Sequence, residues 1–234
     1  MVLAKSGKAG LSCENGVSNC PLIDGLSCNE ETQILAIARK KRYSRGDLLC
    51  LDGEVISDVY LITDGAVKVM KFTDGGDAVI FGLGLPGDLI CPGSLFRTSK
   101  YSSTVVSLRA TKALVWPAQN FKAILERCPL LFQNYLQIQH RHILEIEERF
   151  CEMATMSVNQ RLARQLSRLH GRMIAMANGD TEIGVSREEL AQMTGTTAFS
   201  ACRALVEWGA RGIIRSRRES VKVCDADSLR ALSD

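Results

Sequence analysis

The sequence predicts an α+β chain in three parts: a β-roll of the jelly-roll type, one long helix, and a C-terminal winged helix-turn-helix. Three observations carry that prediction. Between about residues 40 and 118, short β-type runs are separated by the turn signals SRGD, LDGE, TDGA, TDGGD and LPGD, the pattern of a compact barrel or roll. From Pro129 to about Met156, no Gly or internal Pro interrupts a heptad pattern. Residues 186–208, SREELAQMTGTTAFSACRALVEW, read as two short helices about a tight turn.

In chain order, residues 1–20 are rich in Gly, Ser and Lys and read as a flexible arm that carries cysteines. A roll domain is expected over 21–128. It opens with a short helix at about 28–38, with Ile34, Leu35 and Ala38 on its apolar side. Its clearest strands are VYLIT, AVKVMKF, AVIFGLGL, STVVSLRA and KALVWP. In the long helix, 129–156, Phe132, Leu136, Gln139, Ile143, Ile146, Phe150 and Met153 recur at 4-3-4-3-4-3 spacing. That is a seam for self-pairing, so a parallel dimer is expected. A second stripe, Leu131, Tyr135, Ile138 and His142, packs back on the roll. A single helix buried in its own domain shows such stripes too. Met156-Ser157-Val158 reads as a hinge into a last domain, 157–234. There a helix at 158–176 and a strand in GDTEIGV precede the helix-turn-helix, and GIIRSRRESVKVCD follows it as a two-stranded wing.

Within the helix-turn-helix, Ser186 and Glu189 form a capping box that starts the first helix. Leu190 and Met193 are its apolar face, and Gly195 lets the chain turn. Thr196 or Thr197 caps the second helix. Ala201, Leu205 and Trp208 recur at i, i+4, i+7 and face inward. Phe199, Cys202 and Arg203 then fall on the opposite side, where a major groove offers base edges.

Composition agrees with a nucleic-acid partner without demanding one. The net charge is +3, and residues 157–234 hold 12 Lys/Arg against 9 Asp/Glu, so the whole excess lies there. Arg211, Arg215, Arg217 and Arg218 make its densest patch. No apolar run approaches the ~18 residues of a membrane span. MVLAKSGKAGLSCENG lacks the apolar core of a signal peptide. A cytoplasmic protein without membrane contact is therefore expected. Gly82-Leu-Gly-Leu-Pro-Gly87 matches G-x-G-x-x-G, but Pro86 interrupts it and no helix opens there. With no other catalytic motif, an enzyme is not expected. Nine cysteines are many for a reducing compartment, where a disulfide framework is disfavoured. Cys50, Cys128 and Cys151 read as small buried hydrophobes.

The succession PLIDGLS, YSRGDLLCLDGE, VYLITDGAVKV, PGDLICPGSLF, NQRLARQLSRL and SREELAQMTGTTAFSACRAL resembles the CRP/FNR family of bacterial transcription regulators, over roughly residues 20–230. The resemblance implies a cyclic-nucleotide-binding-domain-like roll that senses a signal, and a homodimer that binds a near-palindromic double-stranded DNA operator. It also implies contact with RNA polymerase, with activation or repression set by operator position. Arg203 is then the base contact, its guanidinium matched to guanine. Ser200 and Thr197 reach phosphates or base edges. Arg187 and the wing residues Arg217 and Arg218 contact the backbone. Phe199 stands where the family carries Glu, and meets a thymine methyl instead. Cys202 faces the groove as a small residue, or as a thiol whose oxidation would block DNA.

The resemblance also bears on the signal. Cyclic-nucleotide binders of the family carry a Glu and an Arg-Ser or Arg-Ala pair where Asp88 and Tyr101-Ser102 stand here, so cAMP is not expected. Cys20 lies nineteen residues before Arg39, as the last N-terminal cluster cysteine does in FNR-type oxygen sensors. By that resemblance an iron–sulfur ligand set of Cys13, Cys20, Cys28 and Cys91 is expected, with Cys91 in the place of the family's fourth cysteine. The spacing departs from that pattern, with six residues between Cys13 and Cys20, and the family's fourth cysteine aligns with Leu114. Direct thiol–disulfide switching is a second option. Inert cysteines with a small organic effector in the roll are a third. His140, His142 and His170 fall on helices and do not suggest haem. From another class, the roll could be a ligand-binding or scaffolding module with a protein partner.

Overall fold

The computed structural model describes residues 20–90, 95–96, 100–176 and 182–233. A 3₁₀ turn, Pro21–Ile23, leads to α1 (Cys28–Ala36), which opens on a capping box between Ser27 and Glu30. Eight strands follow: β1 (Arg39–Tyr43), β2 (Leu48–Cys50), β3 (Asp58–Asp64), β4 (Val67–Phe72), β5 (Ala78–Gly84), β6 (Leu89–Ile90), β7 (Thr104–Ser107) and β8 (Thr111–Pro117). Next come α2 (Ala118–Arg127), α3 (Pro129–Thr155) and α4 (Val158–Met176). The chain ends with β9 (Glu182–Ile183), α5 (Arg187–Thr194), α6 (Ala198–Ala210), β10 (Ile214–Ser216), β11 (Val221–Val223) and α7 (Ala226–Ala231). Contacts divide the chain into two units, Met1–Val69 with Leu83–His142, and Met70–Gly82 with Ile143–Asp234.

The roll is two four-stranded sheets, ordered β1-β8-β3-β6 and β2-β7-β4-β5. Side chains alternate across a strand, and β3 and β8 are buried on both faces. This is why their sequences VYLIT and KALVWP are nearly continuous apolar runs. Tyr60, Ile62, Ala113 and Val115 point between the sheets, where they meet Leu49, Cys50, Val67, Tyr101 and Val105. Val59, Leu61, Leu114 and Trp116 point the other way. They meet Leu22, Ile34, Phe121, Leu125, Leu131, Tyr135 and Ile138.

Polar groups drawn into this core are hydrogen-bonded, as burial requires. Trp116 Nε1 donates to the Ile34 carbonyl at 2.9 Å. The Asn134 amide donates to the carbonyls of Leu22 and Asp24, which ties the N-terminal turn to α3. Gly65, in the TDGA turn, has φ +88°, and a Cβ there would stand 2.4 Å from the Ala110 carbonyl oxygen. Only glycine fits such a position.

Three expectations change along the roll and α3. Cys20 does not belong to a flexible arm, since it is buried in the core beside Leu22 and Ile23. Phe132, assigned to the self-pairing seam, packs against the roll core instead, edge-on to Phe96 and stacked on Tyr135. Cys151, expected inside, is exposed on α3, while Cys50 is buried and Cys128 half-buried.

The second unit is built on α4, whose Leu162, Ala163, Leu166 and Leu169 are buried. The small sheet β10-β11-β9 closes it, with Val221 opposite both Ser216 and Ile183. A charged clasp joins the end of α3 to α4. Glu152 is buried, and Arg168 grips it through two nitrogens at 2.5 and 2.8 Å. Arg164 Nε lies 2.9 Å from the same carboxylate. Half-exposed Glu148 sits at the outer edge of the clasp, with Arg164 Nη2 at 3.3 Å.

Candidate nucleic-acid interface

The helix-turn-helix rests on local chemistry. Ser186 Oγ accepts from the Glu189 N–H, and Glu189 Oε2 accepts from the Ser186 N–H at 2.9 Å. Two backbone donors at the start of α5 are satisfied this way. The helix stops at Gly195, which is left-handed at φ 59° and ψ 48°. A Cβ there would stand 2.3 Å from Met153 Cε, the movable end of a flexible side chain, so it is the left-handed conformation that calls for glycine. Thr197 caps α6, its Oγ1 accepting from the Ser200 N–H at 3.1 Å.

The last carbonyls of α5 have a partner that the sequence did not reveal. Arg161 Nε donates to the Thr194 carbonyl at 2.9 Å, and Nη2 reaches Gly195 O at 3.4 Å. Its Nη1 donates to Met156 O at 2.8 Å. One guanidinium thus fastens the hinge to the negative end of α5, where a cation is favoured. The signal lay in NQRLARQLSRL, but nothing in that stretch names carbonyls more than thirty residues away.

Along α6 the faces separate cleanly. Ala201, Ala204, Leu205 and Trp208 are buried against α4, α5 and the wing. Phe199, Arg203, Val206 and Glu207 are exposed. Cys202 is half-buried, and Arg187 Nη1 donates to its sulfur at 3.3 Å. Arg187 and Cys202, fifteen residues apart, therefore share one spot between the two helices. Ser200 Oγ lies 3.0 Å from Thr197 Oγ1.

The wing turns at Arg217–Ser220, closed by the Arg217 N–H donating to the Ser220 carbonyl at 2.8 Å. Arg217 is held 3.7 Å from Glu182, and Ser220 Oγ donates to the same carboxylate. Arg215 and Arg218 are exposed on the same hairpin. The structure thus brings Arg187, Thr197, Phe199, Ser200, Cys202 and Arg203 together on one side of α5 and α6. Arg217 and Arg218 stand at the wing tip.

Of the cysteine ligand set, Cys20 and Cys28 fall among the described residues, one buried and one exposed. Cys13 and Cys91 lie outside the described residues. Cys28 is exposed at the start of α1. Burial pushes the Cys20 thiol up to about 11, although the N–H groups of Leu22 and Ile23 offset this in part. A group that resists ionisation is a poor thiolate ligand. Among the described residues, no three His, Cys, Asp or Glu side chains are grouped to hold a metal ion. The described residues therefore do not fit a cluster. Tyr101, standing where a cyclic nucleotide would need a cation, is buried. Its hydroxyl donates to Asp58 O at 2.8 Å and accepts from the Asp58 N–H at 3.0 Å.

Comparison with known proteins gives the same architecture from both ends. Residues 40–128 match the model of the cyclic nucleotide-binding domain, and residues 160–232 match the Crp-like helix-turn-helix domain. The chain is 26% identical to the transcriptional regulatory protein btr of Bordetella pertussis, over 89% of this chain and 87% of that one. It is 23% identical to the transcriptional activator protein FnrA of Stutzerimonas stutzeri, over 84% and 81% of the two chains. The structure of FixK2 from Bradyrhizobium japonicum superposes with a TM-score of 0.75 at 17% identity, covering 85% of this chain and 98% of that one. A sensory-type roll followed by a winged helix-turn-helix defines a DNA-binding transcription regulator. This chain belongs to the CRP/FNR family of such regulators.

Proposed function

We propose that the protein works as a homodimer that reads a near-palindromic operator with its two α6 helices and answers a redox-type signal. The observation that carries the dimer is an exposed stripe along α3, most of it in the second half. Leu136, Ile143, Ile146, Phe150 and Met153 recur at heptad spacing and are about half exposed or more, Phe150 at 74%. A coiled coil of two such helices removes that surface from water. Two α6 helices about 34 Å apart then meet successive major grooves. Arg203 reads a guanine, Phe199 a thymine methyl, and Arg187, Arg217 and Arg218 the phosphate backbone. RNA polymerase is the expected partner at the promoter, in the cytoplasm. No described helix is long and apolar enough to cross a membrane.

For the signal, Tyr101-Ser102 in the place of the family's Arg-Ser or Arg-Ala pair, and the committed Tyr101 hydroxyl, speak against cAMP. Cys28 speaks for the N-terminal thiols, since it is exposed at the start of α1. Ile34 and Leu35 of that helix lie in the core cluster that holds Tyr135 of α3, so chemistry at the Cys28 sulfur that shifts α1 would disturb the packing of α3. A shift in α3 packing biases the spacing of the α6 pair. The test is sedimentation and quantitative footprinting of the full chain, purified anaerobically and assayed before and after exposure to air. A dimer whose site-specific binding changes with oxidation is the expected result. Equal binding in both states would remove the redox signal, and a monomer would remove the dimer.

A further inference from the structure

In residues 158–233 the exposed large hydrophobics among those described are Ile174, Phe199 and Val206. Two of the three lie on the outer face of α6. Phe199 is 72% exposed and Val206 62%. With Arg203 they occupy positions i, i+4 and i+7, which share one face of a helix. At 1.5 Å per residue, Phe199 stands roughly 6 Å from Arg203 along the axis, and Val206 roughly 4.5 Å beyond it. Base pairs rise by about 3.4 Å, so the three side chains span about three successive steps of a duplex.

Both apolar side chains stand clear of the packing among the described residues. Ala201, Leu205 and Trp208 already supply the packing face of α6. The adjacent carboxylate, Glu207, which could accept from a cytosine amino group, is held 3.7 Å from Arg211 one turn along. That leaves a cation bracketed by two hydrocarbon groups. In the major groove, a guanine edge flanked by pyrimidine 5-methyl groups matches such a surface.

We propose that Val206 is a specificity residue. It contacts a pyrimidine 5-methyl group on one side of the guanine read by Arg203, as Phe199 does on the other. The half-site is therefore a methyl-bracketed guanine, and 5-methylcytosine is accepted where thymine stands. This rests on the DNA-binding reading of α6.

The test uses the full chain throughout. A duplex is first selected from a random library by the wild-type protein. Each thymine is then replaced in turn by deoxyuridine, which removes only the methyl group. Two positions per half-site, one on each side of a guanine, should each lose about fourfold in affinity, the worth of one buried methyl group. Val206→Ala should abolish the penalty at one of these positions and leave the other. Phe199→Ala should do the reverse. With cytosine and then 5-methylcytosine at the Val206 position, the methyl group should restore the fourfold for the wild type and not for Val206→Ala. Uniform tolerance of deoxyuridine would overturn the proposal, as would a Val206→Ala protein with an unchanged uracil profile. If the folded dimer selects no duplex, the DNA-binding reading itself falls, and these residues face a protein partner instead.

Discussion

The two halves of α3 share one amphipathic pattern and end in opposite surroundings. In the first half, Leu131, Tyr135 and Ile138 are buried against the roll, and Asn134 is hydrogen-bonded there. In the second half, Ile143, Leu144, Ile146 and Phe150 stand about half exposed or more. The same hydrophobic spacing is satisfied within the chain in one place and left unsatisfied in the other. A period tells which residues share a face. It does not tell what covers that face.

The contrast can be broken most severely at its two centres. Tyr135→Ala removes a fully packed ring from the roll side and should cost about 3–5 kcal/mol of stability. Chemical denaturation of the full chain measures it. Ile146→Asp places a charge where the second half would meet its copy. It should convert the dimer to monomer at micromolar concentration and cut operator affinity at least about a hundredfold, while circular dichroism stays that of a folded protein. If Ile146→Asp sediments as a dimer, the seam lies elsewhere.

Just beyond those exposed residues, the clasp contrasts a buried carboxylate with an exposed one. Glu152→Ala leaves Arg164 and Arg168 only the half-exposed Glu148 to share, at a cost of about 3 kcal/mol. Glu148, half exposed at the edge, should cost below about 1 kcal/mol when replaced by Ala. Equal effects would show that the clasp is solvated throughout.

The ease of reading these regions from sequence differs for the same reason. The helix-turn-helix is written in local signals. Ser186 with Glu189, a left-handed Gly195 and the Thr197 cap each act within a few residues. The strands of the roll were legible because β3 and β8 are buried on both faces. The clasp was not legible, since Glu152 and Arg168 are ordinary charges until two helices bring them together. Phe132 misled because its heptad position is real, but Phe96 and Tyr135 claim the ring first. Cys151 misled because an isolated cysteine on a helix carries no sign of which face it is on.

On the DNA side, the comparison is between the side chain that reads and the side chain that holds. Arg203→Ala should lose about 1–3 kcal/mol of discrimination at one base pair and little on scrambled sequence. Arg217→Ala, at the wing tip, should weaken binding evenly across sequences and reduce the salt dependence by about one ion. Competition titrations at several salt concentrations separate the two. If Arg203→Ala weakens all duplexes equally, it is a backbone contact.

The smallest effect concerns the thiols, where the roll core and α3 again differ. Burial pushes Cys20 up to about 11 and Cys50 up to about 12, from an ordinary 9.0. Both folded values lie above the unfolded one, so unfolding gives up protons at alkaline pH. Stability is then unaffected well below pH 9 and declines as pH climbs from 9 through 11 and 12. At pH 9 the loss should stay below about 1 kcal/mol. It should shrink in a Cys20→Ala, Cys50→Ala double variant, after allowance for the missing sulfur at pH 7. Cys151, exposed on the second half of α3, should react with a thiol reagent in the native protein at pH 8, while Cys20 and Cys50 react only on unfolding. Protection of Cys151 in the dimer but not in Ile146→Asp would place it beneath the partner helix, and so supply the cover that the chain alone does not provide.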